Sequence, residues 1–132
     1  MKFAAIDIGT NAARLLIGEV STEDGYSYVK KHSYTRIPLR LGIDVFENGV
    51  ISPKKELDFI KSMKAFALIA DIFDVTQIRA CATSAMRDAK NAMDIIRKVK
   101  LDFKKYSLSA YSSFVNQNNF ESYANEFVKL IN

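Results

Sequence analysis

The sequence predicts an α/β fold, a single domain spanning residues 1–132 and built on a mixed five-stranded sheet with its elements in the order βββαβαβα. Three observations carry this. Two short apolar runs and a β-rich stretch open the chain at residues 3–8, 14–20 and 26–36, separated by turn residues. Apolar patterns of helical period then alternate with short strand-like runs, which places helices on the faces of a mixed sheet. The chain has 132 residues, 48% of them apolar and 26% charged, the size and composition of one globular domain with a core of its own.

Each element follows in order. Phe3-Ala4-Ala5-Ile6-Asp7-Ile8 ends at Gly9, and Arg14-Leu15-Leu16-Ile17-Gly18-Glu19-Val20 ends at the polar turn Ser21-Thr22-Glu23-Asp24-Gly25. Tyr26, Tyr28, Val29, Tyr34 and Thr35 give the next stretch its β-forming content, so strands two and three form a hairpin. Residues 37–50 contain Pro38, Gly42, Asn48 and Gly49 and read as a loop or short strand. Ser52-Pro53 supplies an N-cap and a proline at the first helical position. In the helix that follows, Leu57, Ile60, Met63, Ala67 and Ala70 form a core-facing stripe flanked by Phe59, Phe66, Ile69 and Phe73.

Residues 75–82 read as the fourth strand, with Val75, Ile78, Ala80 and Ala82 inward. Asn91 with Asp94 resembles a capping arrangement for a helix through Val99. Residues 106–111 alternate as a fifth strand, and Asn118 with Glu121 starts a terminal helix over 118–131. Phe120, Tyr123, Ala124, Phe127, Val128 and Ile131 share one face of that helix, which must be buried against the sheet or a second copy. A homo-oligomer is therefore expected.

Composition narrows the chemistry. One Cys and one His exclude an internal disulfide and a zinc centre. No apolar run approaches the ~20 residues of a membrane span, and Asp7 stands where a signal peptide needs apolar residues, so a cytoplasmic setting is expected. The net charge of +4 comes from 19 basic and 15 acidic residues spread along the chain. The densest basic stretch, Arg97, Lys98, Lys100, Lys104 and Lys105, is interrupted by Asp102 and reads as a solvated helix end, with no specific nucleic-acid footprint. Cys81 reads as a small core side chain with an ordinary thiol, and His32 as solvent-facing.

Two segments can carry chemistry. Asp7-Ile8-Gly9-Thr10-Asn11 lies at the end of the first strand, where Gly9 permits close backbone approach and Thr10 and Asn11 can face anionic oxygens. Asp7 is a hard oxygen ligand suited to Mg²⁺ beside phosphates. The same pentapeptide also reads as a hairpin turn with an Asx-type hydrogen bond. Thr83-Ser84-Ala85-Met86-Arg87-Asp88 joins a strand end to a helix start, where unpaired N–H groups and the Arg87 fork suit phosphate. There the alternative is a helix cap from Thr83 or Ser84, with Arg87 paired to Asp88 or solvent.

Taken together, these segments resemble one family. Residues 3–17, with Asp7-Ile8-Gly9-Thr10-Asn11 and Arg14-Leu15, resemble the opening of the exopolyphosphatase/guanosine pentaphosphate phosphohydrolase (Ppx/GppA) family, Asp-x-Gly-Ser-Asn-Ser-x-Arg-Leu. Leu39-Arg40-Leu41-Gly42, Gly49-Val50-Ile51-Ser52, and Ile78-Arg79-Ala80-Cys81-Ala82-Thr83-Ser84-Ala85-Met86-Arg87-Asp88-Ala89 through Asn91 resemble its later segments in order. The resemblance covers residues 3 to about 99; residues 100–132 diverge. It implies an actin-like, ribonuclease-H-like domain that faces a second such domain across a cleft and handles polyphosphate or guanosine pentaphosphate (pppGpp). It further implies that Gly9, Thr10 and Asn11 form a phosphate loop supported by Arg14, that Thr83, Ser84 and Arg87 belong to the same anion site, and that Asp7 serves Mg²⁺.

Three departures shape the expected function. The family's Ser-Gly-x-Glu-Glu-Ala segment, whose Glu activates the attacking water, has no counterpart, since no Glu lies between Glu56 and Glu121. Its second loop, Asp-x-Gly-Gly-Gly-Ser, has none either, since no Gly follows Gly49. Ala12 replaces a customary Ser. The expectation is the first, phosphate-binding domain of a Ppx/GppA-type phosphohydrolase, incomplete for catalysis by itself. The alternative is a non-catalytic anion-binding or oligomerisation module derived from that family. An actin-like kinase half shares Asp-x-Gly-Thr but lacks the Thr-Ser-Ala-x-Arg segment.

Overall fold

The computed structural model describes residues 1–100. Three strands lead: β1 (Lys2–Ile8), β2 (Ala13–Glu23) and β3 (Tyr26–Ile37). Two helices follow, α1 (Leu41–Asn48) and α2 (Pro53–Ile72), then β4 (Gln77–Ala82), α3 (Ser84–Asp88) and α4 (Ala92–Lys100). The strands form one mixed sheet in the order β3-β2-β1-β4, with β4 parallel to β1 and the other pairs antiparallel. The fifth strand and terminal helix read from the sequence lie outside the described residues.

Alternation along the strands produces the core. Ala4, Ile6 and Ile8 of β1 and Ala13, Leu15 and Ile17 of β2 share one sheet face and are buried in a single cluster with residues from all four helices. Ile78 of β4 is buried with them, and Ala80 and Ala82 pack against the cluster half-buried, as their spacing suggested. α2 begins as expected, with Pro53 at N1 and the Ser52 side chain accepting the Lys55 N–H.

Its buried stripe is turned from the one read in the sequence. Phe59, Met63, Phe66, Ala67 and Ala70 are buried, whereas Leu57 is exposed. The two stripes share Met63, Ala67 and Ala70, Ile60 packs partly buried against the same cluster, and Leu57 alone of the expected row falls outside it, because periodicity by itself does not fix where a wide stripe ends.

Residues 37–50 hold a helix where a loop or short strand was expected. Leu41 and Val45 are buried one turn apart on its inner face. Arg40 enters in the left-handed region (φ 53), and Gly49 closes the helix there too (φ 74), its N–H donating to the Val45 carbonyl. Asn48-Gly49 is thus a helix stop, not a loop marker.

Three side chains differ from expectation. Cys81 is half-buried, and burial, followed by the neighbouring Asp7 carboxylate, pushes its thiol above the ordinary value. His32 is half-buried and paired, where a solvent-facing side chain was expected. It falls at the register shift between Ile17 and Gly18, where Ile17 pairs with Ser33 and Gly18 with Lys31, leaving His32 as the extra residue of a bulge. There its Nε2 lies 3.1 Å from Glu19 Oε2. The hydrogen bond with His32, and then the N-terminal ammonium 3.5 Å away, hold the Glu19 carboxyl below its usual range. Asn91 precedes α4, yet its carboxamide bonds the Ile51 backbone at both ends, accepting from N–H at 3.0 Å and donating to C=O at 2.9 Å. It anchors the α1–α2 connection instead of capping its own helix.

Candidate functional site

The site forms where β1 and β4, lying parallel and in register from Phe3↔Gln77 to Ile8↔Ala82, end side by side. Parallel neighbours bring both following loops to one edge of the sheet, where open α/β sheets bind ligands. After β1 the chain turns tightly, the Gly9 N–H donating to the Ala12 carbonyl at 2.9 Å. Gly9 thus contributes a turn, its own N–H already engaged. After β4, Thr83 fastens the two strand ends together. Its N–H and its Oγ1 both donate to the Ile8 carbonyl, at 3.0 and 3.2 Å.

The two loops also meet through side chains, since Thr10 Oγ1 lies 3.1 Å from Ser84 Oγ. Two hydroxyls, each able to donate and to accept, therefore sit side by side at the junction. Thr83 stands at the N-cap position of α3 but makes no side-chain cap bond, so its hydroxyl serves the strand junction instead. Arg87 lies on α3, exposed, with Nε 3.3 Å from Asp88 Oδ1, the pairing that the sequence left open. Such an exposed contact between neighbours holds the guanidinium weakly.

Asp7 and Arg14 face each other across β1 and β2 in register, with Arg14 Nη1 3.2 Å from Asp7 Oδ2. Asp7 therefore bonds a side chain and makes no Asx turn. Both side chains are partly exposed, and β4 brings Cys81 alongside Asp7. Among the described residues no group of three His, Cys, Asp or Glu side chains is placed to hold a metal ion.

Sequence reasoning missed what holds the loop from behind. The Arg40 N–H donates to the Asn11 carbonyl at 2.8 Å, and the Gly42 N–H to the Thr10 carbonyl at 3.0 Å, so the start of α1 fixes the β1–β2 loop. α1 is held in turn by α2. Lys55 Nζ bonds the Arg40 carbonyl and pairs with Asp44 at 3.2 Å, and the Ser52 N–H donates to Asp44 Oδ2 at 2.9 Å. The available signal was Leu41 and Val45 one turn apart before Asn48-Gly49.

Hydrogen bonding from Ser52, and then the Lys55 ammonium, hold the Asp44 carboxyl below its ordinary value. A lowered folded value gives stability that is present above the unfolded value and lost as pH falls through the folded one. Asp44→Asn is expected to cost about 1 kcal/mol at pH 7, with a narrower gap to wild type at pH 3. Urea midpoints at both values check this. An equal gap at the two values would assign the loss to packing.

A family model described as the Ppx/GppA phosphatase family matches residues 23–106. The chain is 36% identical over 99 residues to the bifunctional 3-dehydroquinate synthase/phosphatase of Fusobacterium nucleatum, an alignment covering 73% of this chain and 15% of that protein. It is 31% identical over 100 residues to exopolyphosphatase 1 of Mycobacterium tuberculosis, covering 76% of this chain and 28% of that one. The chain thus spans less than a third of the length of these relatives. Among solved structures, the Aquifex aeolicus Ppx/GppA family member superposes with a TM-score of 0.69 at 32% identity, over 76% of this chain and 32% of its own. An exopolyphosphatase from Cytophaga hutchinsonii, at 23% identity and a TM-score of 0.70 over 81% of this chain and 33% of its own, shares the fold. The mixed sheet and these neighbours fit an actin-like, ribonuclease-H-like architecture. No helix among the described residues is long and apolar enough to cross a membrane. From the motifs at both strand ends to the family match over most of its length, this chain belongs to the Ppx/GppA phosphatase family.

Proposed function

We propose that this chain is the first, phosphate-gripping domain of a Ppx/GppA-type phosphohydrolase acting on polyphosphate or a pppGpp-like anion in the cytoplasm, incomplete for catalysis on its own. The observation that carries the reading is the contact at 3.1 Å between Thr10 and Ser84, which joins the β1–β2 loop to the β4–α3 junction. Phosphoryl transfer needs a cradle that positions the phosphates, charge stabilisation and a placed water. The chain supplies cradle and charge: Thr10, Asn11, Thr83 and Ser84 as polar contacts beside the Gly9 turn, with Arg87 as a donor fork. Arg14 orients Asp7. A facing second domain, outside this sequence, completes the cleft and brings the water-activating Glu. Self-association of this chain belongs to the same reading.

A single partly exposed carboxylate, that of Asp7, is compatible with magnesium. Mg²⁺ keeps most of its waters and takes one or two carboxylates together with substrate phosphates, so Asp7 alone is a sufficient protein contribution. When bound, the ion neutralises charge on the phosphate oxygens. Asp7 would hold it, and the Arg14 contact sets the carboxylate orientation.

Titration of short polyphosphate into isotopically labelled protein tests the reading. The amides of Gly9, Thr10, Asn11 and Arg87 are expected to shift together. Shifts confined to the basic stretch from Arg97 onward would mean non-specific charge attraction and overturn the assignment.

A further inference from the structure

Gly42 is the second residue of α1, and its φ lies outside the left-handed region, so its backbone conformation does not require glycine. Glycine within a helix costs about 1 kcal/mol relative to alanine. The reason for it here is space. A Cβ built on Gly42 would lie 2.2 Å from Cγ2 of Thr10, far inside contact distance, and 3.1 Å from the ring of Phe46. Phe46 is exposed and can move aside. Thr10 is held on two sides, its carbonyl accepting from the Gly42 N–H at 3.0 Å and its hydroxyl lying 3.1 Å from Ser84 Oγ.

We propose that Gly42 is a positioning residue, whose missing side chain leaves the Thr10 methyl room so that the Thr10 hydroxyl meets Ser84 and the two phosphate-facing segments act as one site for a phosphate chain. The inference rests on the phosphate-binding reading above. The β-branched Thr10 has few staggered alternatives about χ1. A methyl at position 42 displaces Cγ2, and any other staggered χ1 carries the hydroxyl away from Ser84. Serine at position 10 has no Cγ2, so it keeps the hydroxyl and escapes the clash.

The test is a double-mutant cycle of Gly42→Ala and Thr10→Ser with two readouts. In ligand-free protein, three-bond couplings report the Thr10 χ1, which is expected to leave its wild-type value in Gly42→Ala. In calorimetric titration with short polyphosphate, Gly42→Ala is expected to bind roughly tenfold more weakly than wild type, the loss that follows when one hydrogen bond to an ionised group is misplaced. The double variant is expected to bind as Thr10→Ser alone does. An unchanged Thr10 χ1 in Gly42→Ala, or a double variant still tenfold weaker than Thr10→Ser, overturns the inference. Should Gly42→Ala fail to fold, a folded double variant supports the coupling and an unfolded one overturns it. Wild-type protein that binds no polyphosphate overturns the phosphate reading instead, and the ligand-free χ1 measurement then decides the inference separately.

Discussion

Purified protein supplied with polyphosphate or pppGpp and Mg²⁺ is expected to release phosphate at the background rate. No Glu lies between Glu56 and Glu121, and no Gly follows Gly49 to build an opposing phosphate loop. A general base contributes about 10²–10⁴-fold, and an opposing clamp adds positioning on top of that. The described site holds Asp7, paired with Arg14, and Asp88, beside Arg87, as its acids. A phosphate-release assay run alongside an Asp7→Ala variant checks the expectation. Release well above background in wild type, lost in Asp7→Ala, would show that the chain completes its own cleft.

Phe66→Ala is expected to destabilise the domain by about 3–5 kcal/mol, a fifth or more of the ~5–15 kcal/mol that holds a domain folded. Phe66 is fully buried on the inner face of α2, within the cluster formed by β1, β2, β4 and all four helices. Removing its ring opens a cavity that close-packed neighbours refill only in part. Leu57→Ala on the same helix removes an exposed side chain and is expected to stay within about 0.5 kcal/mol of wild type. Urea denaturation of both variants checks the pair. Equal losses would mean that α2 presents a different face to the sheet.

The legible parts of the fold were those in which a local pattern and its tertiary partner agree. Ser52-Pro53 announced the start of α2 because a cap and a proline act within one turn. The β2–β3 hairpin was legible because its turn residues and β-formers are contiguous, although the bulge at His32 was not, since a bulge is set by register against a partner strand. α1 was hidden because Gly42 and Gly49 both read as breakers, whereas one is there for space against Thr10 and the other closes the helix. At the site, Asp7 to Asn11 and Thr83 to Arg87 stood out as anion-facing types. Lys55 and Asp44, which brace the loop from behind, carry no motif, and Arg40, within the Leu39-Arg40-Leu41-Gly42 segment, acts there through its backbone N–H and carbonyl.

The sequence by itself determined the α/β class, the order of the elements over residues 1–100 with the exceptions of α1 and the short α3, and the two segments, Asp7 to Asn11 and Thr83 to Arg87, that the fold brings together. Those follow from periodicity, turn residues and residue type, all local properties of the chain. Only the tertiary structure decided that Thr10 meets Ser84 across 74 positions, that Thr83 ties β4 to Ile8 instead of capping α3, and that Asn91 binds Ile51 instead of its own helix. A hydroxyl or carboxamide can satisfy itself locally or at a distance with similar energy. The parallel pairing of β1 with β4 brings the distant partner within 3.2 Å, and the choice is made there.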